Sequence, residues 1–405
     1  MKSFAINDYK SERIRTLSGA VVYWKTRIMA NCKPKIMAKC FSLLWNTPGK
    51  SKPPSAFYLF CIHVSNRLIG RCLYVIKFDI TDKCNLKCKM CYMQYKLQHN
   101  EQQMDMRRLK LIIEQIGKVS LRLEFLGGEP LLCDNLCELI RFAKSKTAVK
   151  DIVLYTNGTL ATEKVALELK DAGLDKAIVT LISHNPKKHD SFTGLQGSWI
   201  KTIAGITNLK KAGIRTYTFT ALHSENYSDL SIIYEFVRNQ LKVSPLFYHY
   251  VPQSKNDYLG LSALICKELK RDILQKYSKK HCDFMERVIR SAGRLCLGGH
   301  YMVSIKSDGT VTPCPFIHDI CLGNVEKDSI WDIFAQASKN KEFLCFRLLP
   351  QECSNCSYKD VCGGGCRAGN IFLGGSYVTR DYHCLGPWSE PIRKEIMHDR
   401  LPNFF

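Results

Sequence analysis

The spacing of cysteines constrains this chain more than any other feature of its sequence. Ten of the 20 cysteines fall into two sets, which are Cys84-Asn-Leu-Lys-Cys88-Lys-Met-Cys91 and a later series from Cys296 to Cys384. Thiolates in such sets are the usual ligands of iron–sulfur clusters. The first set offers three thiols on one short loop, so a four-iron cluster held there keeps one iron open to a substrate or cofactor. Structural zinc is the alternative, although zinc usually takes four closed ligands in pairs.

Composition predicts a globular protein of the cytoplasm. The 405 residues are 45% hydrophobic and 24% charged, which differs from the composition of disordered chains. Residues 1–20 contain no apolar segment of the kind that precedes a signal cleavage site, and no run approaches the roughly 18 apolar residues of a membrane span. A reducing cytoplasm would keep the thiols available for metals.

Basic charge is concentrated near the N-terminus. The formal net charge is +22, and residues 1–53 carry eleven basic and two acidic side chains. Apolar residues between these charges predict one or two amphipathic helices, broken near Pro34 and followed by a turn-rich linker at 46–54. Residues 1–73 are therefore predicted to form a basic extension. It could contact the inner face of a membrane peripherally, pack on the rest of the chain, bind an acidic partner or remain a solvated face.

Alternating strand and helix patterns predict an α/β fold over residues 74–292. Short β-branched and aromatic runs alternate with helical segments such as 107–117 and 198–213. The candidate strands are 74–81, 121–126, 151–156, 176–182, 216–221 and 246–251. These βα units predict a partial (β/α)6 TIM-like barrel, with a further helical region from 259 to 292. Residues 293–405 are rich in Gly, Cys and turn residues, which predicts a second, loop-rich domain that metal sites stabilise.

Three motifs follow the first three predicted strands. The first strand leads into the cysteine loop, the second into Gly127-Gly128-Glu129-Pro130, and the third into Thr156-Asn157-Gly158. Because parallel strands place their functional loops at the carboxyl ends, we expect the three motifs to meet at one mouth. Taken alone, a glycine pair or an Asn-Gly sequence is an ordinary turn.

The cysteine loop resembles that of the radical S-adenosylmethionine (radical SAM) superfamily, and the resemblance covers residues 74–384. Members bind a 4Fe–4S cluster through a CxxxCxxC loop that matches Cys84, Cys88 and Cys91. In this family S-adenosylmethionine (SAM) chelates the open iron, and an electron splits it into methionine and a 5′-deoxyadenosyl radical that abstracts hydrogen. The resemblance implies that these three cysteines form the catalytic centre.

The resemblance also implies which residues contact SAM. The family's GGEP loop matches Gly127, Gly128, Glu129 and Pro130. Its paired glycines would let the backbone approach the ligand, and Glu129 with nearby backbone groups would receive the methionyl ammonium. Thr156 and Asn157 match a second region of cofactor contact.

Further candidate residues flank these motifs. Tyr92 is expected to supply ring stacking, since Met90 stands where many members of the family have an aromatic residue. Ser183, in the loop after the fourth strand, would reach the polar end of SAM. His184 and His189 are candidate substrate ligands or acid–base groups, or simply solvated loop side chains.

The later cysteines resemble the SPASM domain, named for subtilosin, pyrroloquinoline quinone, anaerobic sulfatase and mycofactocin maturation enzymes. The resemblance implies two auxiliary 4Fe–4S clusters. One would be bound by Cys353, Cys356, Cys362 and Cys384, and the other by Cys296, Cys314 and Cys366. Cys282 or Cys321 could complete the second set, or its fourth position could stay open to substrate. Zinc ribbons are the alternative for this domain.

Cysteines outside these sets show no ligand grouping, and we expect them to be small apolar core residues. They are Cys32, Cys40, Cys61, Cys72, Cys133, Cys137, Cys266 and Cys345.

Together these features predict an enzyme that cleaves SAM and oxidatively modifies a peptide or protein substrate. Its partners would include an electron donor such as flavodoxin or ferredoxin, and the auxiliary clusters could accept an electron from the substrate radical. A small biosynthetic or lipid-linked molecule is the alternative substrate. The non-enzymatic alternative is a zinc or iron–sulfur scaffold that binds nucleic acid through its basic charge. That alternative explains neither the GGEP loop nor the barrel pattern.

Overall fold

The computed structural model describes most of the chain between residues 73 and 384. The described ranges are 73–93, 104–117, 120–147, 151–262, 302–337, 339–356 and 363–382, together with residues 149, 265, 298, 299, 359 and 384. All of them belong to one compact unit, Arg71–Phe405. The helices and linker predicted for the N-terminal extension lie outside the described residues.

Six parallel strands form the body of the protein, each within two residues of its predicted bounds. They are β1 Leu73–Asp79, β2 Ser120–Leu126, β3 Asp151–Thr156, β4 Lys176–Thr180, β5 Arg215–Leu222 and β6 Ser244–His249. Each strand pairs in parallel with the next one along the chain. This arrangement confirms the predicted succession of βα units.

Helices connect successive strands, as parallel pairing requires. They are α1 Met106–Gly117, α2 Leu136–Lys146, α3 Glu163–Asp171, α4 Pro186–Thr193, α5 Ser198–Lys211 and α6 Leu230–Glu235, the last continuing into a wider turn at Phe236–Leu241. Residues 259–262, where a further helical region was predicted to begin, are loop, and most of 263–292 lies outside the described residues. No helix in the described ranges is long and apolar enough to cross a bilayer.

The sheet continues beyond β1 into the cysteine-rich region. Strand β7, Met302–Ile305, pairs in parallel with β1, and β8 Thr310–Thr312 and β9 Gly323–Asn324 follow in antiparallel pairing. The strand order β6-β5-β4-β3-β2-β1-β7-β8-β9 is that of an open sheet over the described residues, which confirms the partial barrel. Among the described residues of this region, three α-helices follow the strands, which are α7 Ile330–Ala337, α8 Lys341–Arg347 and α9 Arg367–Phe372.

Alternation along the strands gives the sheet two different faces. Ile76 and Phe78 of β1 are fully buried in the apolar core with helix residues such as Ile112. The intervening residues, Lys77 and Asp79, therefore lie on the opposite face, which is the inner face of the partial barrel. The carboxyl end of β1 leads directly into the cysteine loop.

Candidate active site

The glycine pair after β2 docks directly on the loop that carries the cysteines. Gly128 N donates a hydrogen bond to Thr81 O (2.8 Å), and Glu129 N donates to Lys83 O (2.7 Å). A Cβ atom on Gly128 would lie 2.1 Å from Lys83 O, and one on Gly127 would lie 2.2 Å from Thr81 O. Gly127 also has φ of +123°, which residues with side chains rarely adopt. The glycine pair thus makes a close approach to the cysteine loop, and its approach to a ligand stays a prediction.

The carboxylate of Glu129 is buried and joins the ends of β2 and β3. It accepts hydrogen bonds from Thr156 Oγ1 (2.6 Å), Asn157 N (2.7 Å) and Leu131 N (3.0 Å). Burial raises the pKa of Glu129, opposed by these three donors. Pro130 begins the short turn that follows. The structure therefore brings the predicted GGEP and Thr156-Asn157 motifs together, with Glu129 as the connection between them.

Asn85, a spacer residue within the cysteine motif, ties the cysteine loop to the loop after β3. Asn157 Nδ2 donates to Asn85 Oδ1 (2.9 Å), and Asn85 Nδ2 donates to Thr159 Oγ1 (2.8 Å). Thr159 Oγ1 in turn donates to Asn157 Oδ1 (2.6 Å), which closes a triangle of polar side chains. Sequence analysis identified neither Asn85 nor Thr159, because a spacer position carries no pattern of its own.

The opposite side of the cysteine loop rests on the C-terminus of α4. Lys87 N donates to Thr193 O (2.9 Å), and Lys89 N donates to Phe192 O (3.0 Å). Helix α4 ends at Gly194 in the left-handed conformation, with φ of +73°. Backbone hydrogen bonds therefore hold the cysteine loop from two directions.

Cys84, Cys88 and Cys91 lie partly buried on this loop. Burial raises the pKa of Cys84 to about 11 and, together with its thiol neighbours Cys91 and Cys84, the pKa of Cys88 to about 12. This mutual effect places the three thiols within electrostatic range of one another. Metal binding displaces thiol protons, so a set of three thiols fits an iron–sulfur cluster. No three Cys, His, Asp or Glu side chains in the described ranges are close enough to hold a single metal ion.

Tyr92 contacts the region that follows β7. Its ring centroid lies 5.1 Å from that of Phe316, and its hydroxyl donates to Asp79 Oδ1 (3.4 Å). Burial raises the pKa of Tyr92, and Asp79, Cys91 and Cys314 raise it further. The described contacts of the ring are with the protein, and its stacking on a cofactor stays a prediction.

The loop after β4 holds the remaining predicted residues of the barrel site. Ser183 is buried, and its hydroxyl accepts from Asn185 N (3.1 Å). His189 is buried rather than solvated, and its Nδ1 accepts from Ile182 N (3.4 Å). Burial lowers the pKa of His189 to about 4, so the ring is neutral at physiological pH. His184 is partly buried.

Five of the seven predicted auxiliary ligands lie within the described residues. Cys314, Cys353 and Cys356 are buried, and Cys366 and Cys384 are partly buried. Cys296 and Cys362 lie outside the described residues, as does Cys282.

Asp381 connects two of these cysteines. Cys366 N donates to Asp381 Oδ2 (2.7 Å), and Cys384 N donates to Asp381 O (2.8 Å). Cys366 also begins α9, where its Sγ accepts from Gly369 N (3.5 Å). The ligand sets themselves stay predictions.

Arg367, next to Cys366, is a buried connector that sequence analysis missed. Its guanidinium donates five hydrogen bonds, at 2.7 to 3.3 Å, to the backbone carbonyls of Phe346, Leu348, Gly363, Gly364 and Thr379. These carbonyls come from the C-terminal end of α8 and from two loops of the cysteine-rich region. Nothing in the sequence around Arg367 distinguishes a buried arginine from one on the surface.

Three of the eight cysteines predicted to be core residues lie within the described residues, and two of the three fit that prediction. Cys133 is buried in the core, and Cys137 packs against it. Cys345 is exposed on α8, so its assignment to the core was wrong. The other members of this group lie outside the described residues.

A parallel βα sheet with three cysteines after its first strand and further cysteines beyond its last defines an iron–sulfur enzyme of the SAM-dependent radical class. Comparison with known families agrees, because residues 78–237 match the Radical SAM superfamily and residues 296–357 match the SPASM iron–sulfur cluster-binding domain. The chain belongs to the radical SAM superfamily and carries a SPASM domain. The first domain implies a 4Fe–4S cluster with SAM and the second implies auxiliary iron–sulfur clusters, which confirms the predicted cofactors.

Relatives and solved structures cover most of the chain. It is 25% identical over 339 residues to the AdoMet-dependent heme synthase of Oleidesulfovibrio alaskensis, across 76% of this chain and 86% of the relative. It is 22% identical to the PqqA peptide cyclase of Gluconobacter oxydans, across 80% of this chain and 94% of the relative. Its fold is similar to that of native anSMEcpe with bound AdoMet, with a TM-score of 0.63, 19% identity, and coverage of 77% of this chain and 94% of the other. Its homologues are enzymes, and this chain is an enzyme of the same superfamily.

Proposed function

We propose that this enzyme oxidatively modifies a peptide or protein side chain bound on the inner face of the partial barrel. The observation that carries the proposal is the character of that face. Bulky branched side chains fill the interior of closed βα barrels. Here charged and aromatic side chains share the inner face with branched residues such as Val153 and Ile178, and several of them keep part of their surface accessible.

Lys77 and Glu124 occupy the middle of the inner face, at paired positions on β1 and β2. Lys77 Nζ lies 2.8 Å from Glu124 Oε2 and 4.7 Å from the ring centroid of Tyr155. The Lys77 side chain is 19% exposed, whereas that of Glu124 is 5% exposed. The pair offers both a donor and an acceptor, which is what a peptide amide or carboxylate requires.

Aromatic side chains form the wall beyond this pair. Tyr217 and Phe219 of β5 are partly exposed, while Thr218 between them is fully buried. The Phe219 ring centroid lies 5.6 Å from that of Tyr248, which is exposed. Aromatic walls with a few polar groups are typical of ligand sites.

Buried charged side chains occupy the inner face at the amino ends of the strands. Asp151 accepts hydrogen bonds from Arg122 Nε (2.7 Å) and Lys176 Nζ (2.8 Å), and the three side chains are buried. A substrate on the inner face would therefore lie toward the carboxyl ends, where the cysteine loop is.

Cys84, Cys88 and Cys91 would hold the cluster, which together with SAM would supply the abstraction of a hydrogen atom from the substrate. The chain's own residues hold the thiols in place through Asn85 and the glycine pair. In this proposal Thr156, Asn157 and the backbone of the GGEP loop orient SAM, and flavodoxin or ferredoxin delivers the electron.

The relatives support two substrate classes. The PqqA peptide cyclase favours a peptide, which is the class proposed here. The heme synthases, at 24–25% identity over about three quarters of this chain, favour a small biosynthetic molecule as the second candidate.

Cleavage of SAM is tested first. The full chain is reconstituted anaerobically with iron and sulfide, reduced with dithionite and given SAM, and 5′-deoxyadenosine is measured. The wild type is expected to form it, and a variant with Cys84, Cys88 and Cys91 all replaced by Ala is expected to lose it. Cys345→Ala is the matched control, because this exposed cysteine belongs to no predicted ligand set. Turnover that persists in the triple variant would refute the catalytic assignment.

The substrate class is tested by deuterium transfer. An extract of cells grown in deuterated medium is incubated with the enzyme and SAM, and the deuterium content of 5′-deoxyadenosine is measured by mass spectrometry. A peptide substrate predicts transfer that is lost when the extract is first digested with protease. Transfer that survives digestion would favour the small-molecule candidate.

A further inference from the structure

The turn between β7 and β8 carries a buried lysine that borders both candidate cluster sites. Lys306 Nζ donates to Pro315 O (2.6 Å), and Pro315 directly follows Cys314. The same ammonium lies 5.6 Å from the ring centroid of Tyr92, which directly follows Cys91. Lys306 is only 3% exposed. One desolvated positive charge therefore contacts the residue that directly follows a predicted ligand of each site.

Asp79 fixes the position of this charge. Lys306 Nζ lies 3.5 Å from Asp79 Oδ2, and Asp79 is fully buried at the end of β1. The hydroxyl of Tyr92 donates to the other carboxylate oxygen, Oδ1. Parallel pairing of β7 with β1 sets the register of the turn, since Phe78 is opposite Ile305. Asp79 thus connects the strand before the cysteine loop, the residue after it, and the turn before Cys314.

The segment that carries Lys306 and Cys314 packs directly on the cysteine loop and on Tyr92. Phe316 packs on Tyr92, with ring centroids 5.1 Å apart. A second contact joins the same turn to the cysteine loop, because Ser307 Oγ donates to Asp82 Oδ2 (2.5 Å) and both residues are buried. Low solvent access weakens dielectric screening, so the charge of Lys306 acts on its surroundings more strongly than a surface lysine would.

We propose that Lys306 is a positioning residue that raises the reduction potentials of the cluster at Cys84, Cys88 and Cys91 and of the auxiliary cluster at Cys314, and that Asp79 holds it between them. This inference rests on the proposed function only in that clusters bind at both sets of cysteines. Reduction adds one electron, and hence one negative charge, to a cluster. A fixed positive charge nearby favours the reduced form, and cluster potentials follow local charge and solvent exposure.

The test is a redox titration of the anaerobically reconstituted full chain, without SAM or substrate, followed by electron paramagnetic resonance. Lys306→Met keeps the length of the side chain and removes its charge, so both midpoints should move to more negative potential. Lys306→Arg keeps the charge and should stay near the wild type. Lys83→Met is the matched control, because Lys83 is an exposed lysine next to Cys84 and solvent screens its charge.

Asp79→Asn is an independent variant that should shift the midpoint potentials in the opposite direction. It removes the carboxylate and leaves the lysine charge, so the midpoints should move to more positive potential. Iron and sulfide per chain establish that each variant holds its clusters. The triple variant that lacks Cys84, Cys88 and Cys91 isolates the auxiliary signals for assignment.

The possible results separate this inference from the proposed function. If the midpoints of Lys306→Met and Asp79→Asn lie within the small shift of Lys83→Met while the wild type still forms 5′-deoxyadenosine, the inference alone is overturned. If the wild type shows no auxiliary signal that depends on Cys314, both the auxiliary ligand set and the inference are overturned.

Discussion

Thr156 Oγ1 lies 2.6 Å from Glu129 Oε1, and this hydrogen bond joins the carboxyl ends of β2 and β3 in the protein interior. Replacing Glu129 by Ala leaves the Thr156 hydroxyl and the Asn157 amide without their acceptor. Each buried polar group left unsatisfied costs about 1–3 kcal/mol. We expect Glu129→Ala to lower the free energy of unfolding by about 3 kcal/mol, measured by urea denaturation of the iron-free chain.

Two further variants define this effect. Glu129→Gln retains one acceptor oxygen and should lose less stability. Glu168→Ala, which removes an exposed carboxylate of α3, should change stability by less than about 1 kcal/mol. Equal stabilities of the Glu129→Ala and Glu168→Ala proteins would contradict the structural role of Glu129.

The contact between Gly128 and the cysteine loop predicts that adding one methyl group at position 128 impairs assembly of the cluster. The Cβ of an alanine at position 128 would lie 2.1 Å from Lys83 O, so the loop next to Cys84 must move. We expect Gly128→Ala to reduce iron bound at the cysteine loop, measured as iron per chain and as the SAM-dependent change in the cluster spectrum. Gly197→Ala is the control, because its site has a strained φ of +77° but no neighbour within 4 Å. Iron loss that is equal in the two variants would mean that the contact with Lys83 O does not account for it.

The sequence predicted the strands well because residues on the buried face and the inner face alternate along each strand. In β1, Ile76 and Phe78 face the helices while Lys77 and Asp79 face inward, and apolar runs bounded by turns mark the other strands. Strand β7 was missed because it has only four residues, Met302–Ile305, in a segment whose Gly and Cys content is typical of loops.

The sequence predicted which motifs form the candidate site but not the contacts between their side chains. Strand topology alone indicated that the cysteine loop, the GGEP loop and Thr156-Asn157 meet at one edge. The bond between Asn85 and Asn157 joins residues 72 positions apart, and only the tertiary structure determines it. Lys306 is paired in the interior with the carboxylate of Asp79 from a distant strand, whereas the local sequence around Lys306 is typical of a surface turn.

Two buried histidines predict a loss of stability in mild acid. His189 and His223 are almost fully buried, and Nε2 of each has no hydrogen-bond partner among the described residues. Burial lowers the pKa of each from 6.5 to about 4. Because the unfolded chain binds the proton more readily, each histidine's contribution is fully present above pH 6.5 and decreases as the pH falls toward 4. The decrease is at most about 3 kcal/mol per histidine.

Urea unfolding of the iron-free chain at pH 7.5, 6 and 5 measures this dependence. His223 stacks on Phe192 with ring centroids 4.3 Å apart, so His223→Phe preserves an aromatic contact and removes the titrating group. The variant should lose less stability than the wild type between pH 7.5 and 5. An unchanged pH dependence would show that His223 does not resist protonation in the folded protein.

The contacts of Arg367 predict that this side chain, which belongs to neither set of cysteines, is needed for iron binding at the auxiliary sites. Its five hydrogen bonds hold carbonyls from the C-terminal end of α8 and from two loops, and Arg367→Met leaves these carbonyls without that donor. We expect a loss of at least about 3 kcal/mol in unfolding free energy and a lower auxiliary iron content. Iron per chain, measured in the variant that lacks Cys84, Cys88 and Cys91, reports the auxiliary sites alone.

Two further variants serve as controls. Arg367→Lys keeps the positive charge but not the planar guanidinium group, so its iron content should be intermediate. Arg380→Met changes an exposed residue, so its iron content should match that of the parent protein. Full auxiliary iron in Arg367→Met would show that the cysteines and their own loops are sufficient to build these sites.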